Sequence, residues 1–268
     1  MQDRYVGDVG DFGKYGLLRA LSATGKSRRT LTLGIVWYLA PEEDHNDDGK
    51  HTSYVRHHSA ENLHVYRSCD PDLYDGIWGI FERDKRSVAS VQDSELLPEG
   101  TEFHDERLSF DGMHAYGPQA REIRLAYRAA WLSRGLDRTR GCTLVFFDPD
   151  NGLEVKVGAH TKKGPKYTYY DELVPFYERG QSLVIYQHIH RKRGETAQLQ
   201  IGQRFTEIRE RIGCDDAFAL LYHRGTARAF FVVPSDSDIR QLLLERSQNL
   251  VAGLWGQNGH FDPVIQPG

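Results

Sequence analysis

The sequence predicts an open α/β fold, a mostly parallel sheet closed at its C-terminal end by an antiparallel hairpin. Three observations carry this. Residues 142–147 and 182–186 are continuous apolar runs, as expected of strands covered on both faces. Residues 171–179 between them read as helix, completing a strand–helix–strand unit. Two further apolar runs, 217–222 and 227–233, flank the turn-forming His223-Arg224-Gly225-Thr226 and read as a hairpin.

The remaining elements follow in chain order. Gly7-Asp8-Val9-Gly10-Asp11-Phe12-Gly13 is a polar, glycine-punctuated loop feeding a helix over about 14–22, with Leu17, Leu18 and Leu21 on one face. A buried strand is expected at 31–39. It ends in a long acidic loop from Pro41 to His51, and loops of this length are functional or mobile. The section from about 70 to 110 reads as helix, turn and short strand, with Asp70-Pro71 as a helix start and Asp111-Gly112 as a turn. Strong helices are expected at about 119–133 and 197–211. No repeat or Pro/Ser-rich linker divides the chain, so one α/β domain over residues 1–268 is expected, with a helical and loop insertion at about 70–118.

Composition removes several function classes. With 39% hydrophobic and 27% charged residues, the chain is globular rather than disordered. Cys69, Cys142 and Cys214 are odd in number and widely spaced, against a disulfide scaffold or a thiolate zinc site. The N-terminal segment has no apolar leader, and no run approaches the ~18 apolar residues of a membrane span. A cytoplasmic protein without a membrane partner is expected. The net charge of −4 excludes a polycation, so nucleic acid binding requires a local basic patch.

In open α/β sheets ligands sit at the carboxyl ends of the strands, which gathers 148–152, 187–193 and 41–51 around one crevice. Asp148-Pro149-Asp150-Asn151-Gly152 is the strongest signal, because a strand-end carboxylate is partly desolvated and suited to activating water. The same five residues also make a tight turn. In Gln187-His188-Ile189-His190-Arg191-Lys192-Arg193, the two histidines alternate about Ile189 and share a face, so either can assist as acid or base. Arg191, Lys192 and Arg193, with Lys162, Lys163 and Lys166, supply charge for several phosphates, or else form a solvated basic loop. Asn151, Gly152 and Gln187 are candidate substrate contacts, and Trp37, Tyr38 and Tyr186 candidate stacking surfaces. Asp44, His45, Asp47, Asp48 and His51 resemble metal ligands in type, but their spacing fits neither a calcium loop nor HExxH, and no metal is expected. Gly7, Gly10, Gly13 and Lys14 put flexible backbone and a cation at a helix N-terminus, either an anion site or a simple anchor.

Gly7-Asp8-x-x-Asp11-x-x-Lys14 ahead of a Leu-rich helix, then a strand, a loop and a later strand ending in Asp148-Pro149, resembles the J-type large-subunit rRNA adenine-N6 methyltransferases. That family opens with a similar Gly-Asn-x-x-Asp-x-x-Lys segment and carries Asp-Pro-Pro-Tyr after its fourth strand. The resemblance implies an open Rossmann-like, methyltransferase-like sheet whose last two strands are the terminal hairpin, and it adds Asp11 and Lys14 to the substrate-binding candidates. The chain departs from the family twice. No glycine follows Trp37 until Gly49, where the family presents a glycine-rich loop to S-adenosylmethionine, and Asp150-Asn151 replace the base-stacking Pro-Tyr. Exchanging a stacking pocket for carboxylates suits activation of water. The expectation is a nucleic-acid-directed hydrolase without a cofactor, a DNA glycosylase removing a modified base in host defence. Asp148 or Asp150 would be the base, and His188 or His190 would assist the leaving group. The alternatives are a divergent S-adenosylmethionine-dependent methyltransferase and a non-catalytic nucleotide- or nucleic-acid-binding protein.

Overall fold

The computed structural model describes residues 1–23, 31–40, 49–83, 85–114, 116–191 and 193–267. The strands are β1 (Leu33–Trp37), β2 (Glu102–His104), β3 (Leu144–Asp148), β4 (Gly152–Leu153), β5 (Tyr167–Thr168), β6 (Ser182–His188), β7 (Phe218–Tyr222) and β8 (Arg228–Val233). Six of them form one sheet in the order β2-β1-β3-β6-β8-β7, and β4 pairs with β5 separately. The β2-β1-β3-β6 pairings are parallel, whereas β8 is antiparallel to both β6 and β7. The expected architecture, a mostly parallel open sheet with a C-terminal antiparallel pair, is the one observed.

The apolar runs are strands because both their faces are buried, and period-two alternation sorts them into two cores. Ile35, Trp37, Phe146, Val184, Tyr186 and Phe230 face one layer. Val36, Phe147, Ile185 and Phe231 face the other. The helices are α1 (Val9–Ser22), α2 (Ser53–Arg56), α3 (Ala60–Asn62), α4 (Pro71–Glu82), α5 (Val88–Gln92), α6 (Pro118–Arg138), α7 (Tyr170–Glu178), α8 (Ala197–Ile212), α9 (Ser237–Ala252) and α10 (Leu254–Gln257). Helices α1, α4 and α9 cover the first face, and α6, α7 and α8 the second. Their starts are written in the sequence. Asp70 accepts the Leu73 amide at 3.0 Å with Pro71 in the first turn, and Asp236 accepts that of Ile239 at 2.8 Å.

Two elements differ from expectation. The stretch read as an insertion also contributes β2, the sheet's edge strand, in register with β1 through Ile35 and Phe103. Helix α1 begins at Val9 rather than near Lys14, taking Gly10 and Gly13 of the presumed loop into its body. Gly10, Gly13 and Gly16 lie three apart along one face. A Cβ there would stand 2.3 Å from Arg228 Cζ, Tyr222 Cε2 and Trp255 Cη2 respectively, so glycine is what lets α1 press onto the hairpin and α10. The Tyr222 hydroxyl donates to the Val9 carbonyl at 2.6 Å across this contact.

Candidate active site

The register levels the ends of the central strands, pairing Trp37 with Asp148 and Phe147 with Ile185. Because β8 runs the opposite way, its first residue, Arg228, pairs with His188 at the same edge. Helix α1 lies across that edge, held by the Val9 amide donating to the His51 carbonyl at 2.9 Å. The result is a cleft of about 370 Å³. Asp8, Asp11 and Lys14 line it from α1, and Asp148, Asp150 and Asn151 from the end of β3. Tyr186 and His188 line it from β6 and His190 from just beyond, joined by His51, Lys166, Thr226 and Arg228. Its volume falls toward the lower end of the range for small-molecule sites and suits a group of nucleoside size.

Four buried carboxylates are interleaved with cations. Lys14 Nζ lies 2.8 Å from Asp11 Oδ1 and 2.9 Å from Asp148 Oδ2, with the rings of Tyr15, Trp37 and Tyr186 around it. Burial opposes its charge, but the two carboxylates outweigh burial and hold Lys14 protonated above its ordinary value. Asp148 goes the other way from a normal ion-paired carboxylate. Burial pushes it up, and the pull of Lys14 and the Met1 ammonium does not cancel that, with Asp11 adding repulsion. Asp150 is also buried, but the Met1 ammonium, Lys166 and Gln2 together overcome burial and hold it below the usual carboxylate range. The Met1 amine bonds Asp150 Oδ1, Gln2 Nε2 donates to Oδ2 at 3.0 Å, and Lys166 Nζ stands 3.9 Å away. Asp8 caps α1 by accepting the amides of Gly10 and Asp11, and burial raises it against the opposing pull of Arg228.

Half of the anticipated site residues meet in this cleft: Asp11, Lys14, Asp148, Asp150, Asn151, Lys166, Tyr186, His188 and His190 all line it. The two histidine rings pack edge to face at 4.8 Å, as the shared face required. Gln187 lies beneath the lining instead. Its Oε1 accepts the Leu153 amide at 2.9 Å and its Nε2 donates to the His188 carbonyl at 2.8 Å, tying β4 to β6. Gly152, at φ 110°, serves the same junction, since a Cβ would stand 2.6 Å from Gln187 Oε1.

Trp37 and Tyr38 are fully buried and do not line the cleft. At the end of β1 successive side chains enter opposite cores. Trp37 stacks on Phe103 at 6.4 Å, and Tyr38 packs on Trp131 and donates to Glu172 Oε2 at 3.1 Å. Neither offers a face to a ligand. Lys162, Lys163, Arg191 and Arg193 are exposed outside the lining. Lys192 and the loop residues Asp44, His45, Asp47 and Asp48 lie outside the described residues. At the N-terminus of α1 the Asp8 carboxylate already takes two amides, which fills the position an external anion would need.

Asp8, Thr226 and Arg228 line the cleft without having been named as site candidates, and His51, expected at this edge with the rest of 41–51, lines it too. Arg228 had a readable signal, a charge opening an otherwise apolar strand. Among the described residues no cluster of three or more His, Cys, Asp or Glu is arranged to hold a metal, and no helix is long and apolar enough to cross a membrane. No family model matches the chain, and no curated protein matches it by sequence.

Proposed function

We propose that this cleft is the active site of a nucleic-acid-directed hydrolase that cleaves the N-glycosidic bond of a base held out of its stack. The observation that carries the reading is two neighbouring carboxylates with unlike surroundings in one cleft. Asp148 is buried with Lys14 at 2.9 Å, whereas Asp150 is held by the Met1 amine, by Gln2 at 3.0 Å and by Lys166 at 3.9 Å. Burial pushes the first up, and its partners hold the second down. Environments that separate two acids in one site divide their roles. Asp150, ionised, stabilises positive charge developing on the sugar, and Asp148, the stronger base, takes a proton from water. His188 and His190 assist the departing base, Asn151 reads its edge, and Tyr186 supplies an aromatic wall. Lys162, Lys163, Arg191 and Arg193, all exposed, engage phosphates of a DNA strand, with Lys192 beside them in sequence. Removal of a modified base in host defence, in the cytoplasm and without a cofactor, is the setting this chemistry suits.

Incubation with plain and modified duplexes, followed by alkali treatment, measures abasic sites directly. Strand breaks at the modified base are expected, falling by ~100-fold or more in Asp148→Asn and Asp150→Asn. If no duplex yields an abasic site, the hydrolase reading is wrong.

One contact favours a second reading. The Lys14–Asp148 ion pair, 134 residues apart in sequence, joins the two motifs that carry the methyltransferase resemblance. Titration calorimetry with S-adenosylmethionine separates the two, because saturable binding supports a methyltransferase and a flat isotherm the hydrolase.

A further inference from the structure

The chain between β4 and β5, residues 154–166, carries four lysines, and no acidic residue stands between Glu154 and Asp171. It is a closed and ordered loop. Its ends meet where β4 pairs with β5, and the Glu154 amide donates to the Thr168 carbonyl at 2.8 Å. Inside it the Thr161 hydroxyl donates to the Gly158 carbonyl, and the Gly164 amide to that of Thr161, both at 2.8 Å. Gly164 is buried in this fold, where a Cβ would stand 2.2 Å from the Ala159 carbonyl oxygen. Loops closed on themselves in this way are frequently functional.

Two side chains pin the loop to the body. The Tyr169 hydroxyl donates to the Val157 carbonyl at 2.8 Å. Arg124 of α6, itself buried, donates to the His160 carbonyl at 3.2 Å and to the Met113 carbonyl at 3.4 Å. That second bond ties the loop to the segment leading into Tyr116, which is 93% exposed. Lys156, Lys162 and Lys163 are exposed on the loop, and Lys166 at its end lines the cleft. The nearby carboxylates are engaged elsewhere. Glu154 accepts the Tyr170 amide at 3.0 Å and faces Arg211 at 3.9 Å, Asp111 accepts the Ser109 hydroxyl at 2.8 Å, and Glu122 stands next to Arg121 in sequence.

We propose that this loop and Tyr116 form a track for single-stranded DNA leaving the cleft, with the lysines holding phosphates and Tyr116 stacking on an unpaired base. Lysines attract the phosphates of any strand. A tyrosine ring stacks only on a base whose face is open, which a duplex hides, so the aromatic half of the surface selects the single strand. The fixed loop places its cations before the strand arrives and lowers the ordering cost of binding. The inference rests on the cleft being a nucleic-acid site and narrows its substrate class.

Fluorescence anisotropy of the full chain with a short labelled oligonucleotide, free or annealed to its complement, tests this. The single strand is expected to bind ~10-fold or more tightly than the duplex. Tyr116→Ala is expected to weaken single-strand binding by ~5-fold or more, and Tyr116→Phe to retain it, because the ring and not the hydroxyl stacks. With so exposed a side chain, neither change disturbs the fold. Lys162→Gln and Lys163→Gln are each expected to reduce the slope of log affinity against log salt by ~0.7. Duplex binding as tight as single-strand binding, an unchanged affinity in Tyr116→Ala, or no binding of either form overturns the proposal. Base release is scored separately on both forms. Single-strand binding that depends on Tyr116 without base release removes the hydrolase and leaves the track, whereas base release indifferent to Tyr116 does the reverse.

Discussion

Lys14 is held by two carboxylates within 2.9 Å and by three aromatic rings, so its charge is bound up with the folded state. Lys14→Met leaves Asp11 and Asp148 buried without their partner. A loss of about 3–5 kcal/mol is expected in denaturant unfolding. His260 gives a second residue-scale prediction. It is fully buried among Phe12, Tyr66, Tyr222 and Trp255, and one ring nitrogen meets the Val65 carbonyl at 2.7 Å. Burial pulls it down from 6.5 to about 4. The unfolded chain therefore takes up this proton first as pH falls. The stability His260 contributes is whole above about 6.5 and drains away as pH falls through about 4, with a slope of at most about 1.4 kcal/mol per pH unit. His260→Gln is expected to flatten this part of the stability–pH curve, as read by chemical unfolding at several pH values. Both sites expose the limit of sequence reading for single residues. Asp148, Asp150, His188 and His190 were legible because strand ends announce themselves. Trp37 and Tyr38 stand beside such an end too, but which core each enters depends on the sheet's faces, which a single strand does not reveal.

At the scale of elements, α1 is the instructive case. Three glycines and two aspartates before Lys14 make the start of this helix weak by propensity, and residues 7–13 read as a loop. Packing overrides propensity, because Gly10, Gly13 and Gly16 are the surface that Arg228, Tyr222 and Trp255 occupy. Two substitutions separate these influences. Gly13→Ala adds a methyl 2.3 Å from the Tyr222 ring and is expected to cost up to about 3 kcal/mol. Gly202→Ala, inside α8 with nothing within 4 Å of its Cβ, is expected to stabilise by about 0.5–1 kcal/mol. Thermal melts of the two variants against the parent check both signs. If both destabilise alike, α1 is not seated through its glycines. Strands β3, β6 and β7 were legible from their apolar runs, and β8 from the run that follows Arg228. The edge strand β2 was visible only as an unplaced short strand, since three half-polar residues do not say which neighbour they join.

For the whole molecule, the fold class was legible and the cleft's chemistry only partly so, for one reason. Sheet and helix layers follow from local hydrophobic pattern, whereas the cleft is assembled from segments far apart in sequence. Lys14 meets Asp148 across 134 residues, and Tyr222 meets Val9 across 213. Such long-range contacts slow folding. In pulse-labelled hydrogen exchange during refolding, the amides of α1 are expected to gain protection together with β7 and β8; earlier protection of α1 alone would contradict this. The same separation matters on the ribosome, which releases the chain from its N-terminus onward. Helix α1 emerges about 200 residues ahead of the arginine, tyrosine and tryptophan that fit its glycine face, which are synthesised after residue 220. Until then its glycine face is a bare seat, although Arg19 and Phe12 can already meet Asp70 and Tyr74 of the α4 region. Nascent copies can thus carry every acidic residue of the cleft while still lacking the cleft itself, which delays any chemistry until the closing hairpin has been made.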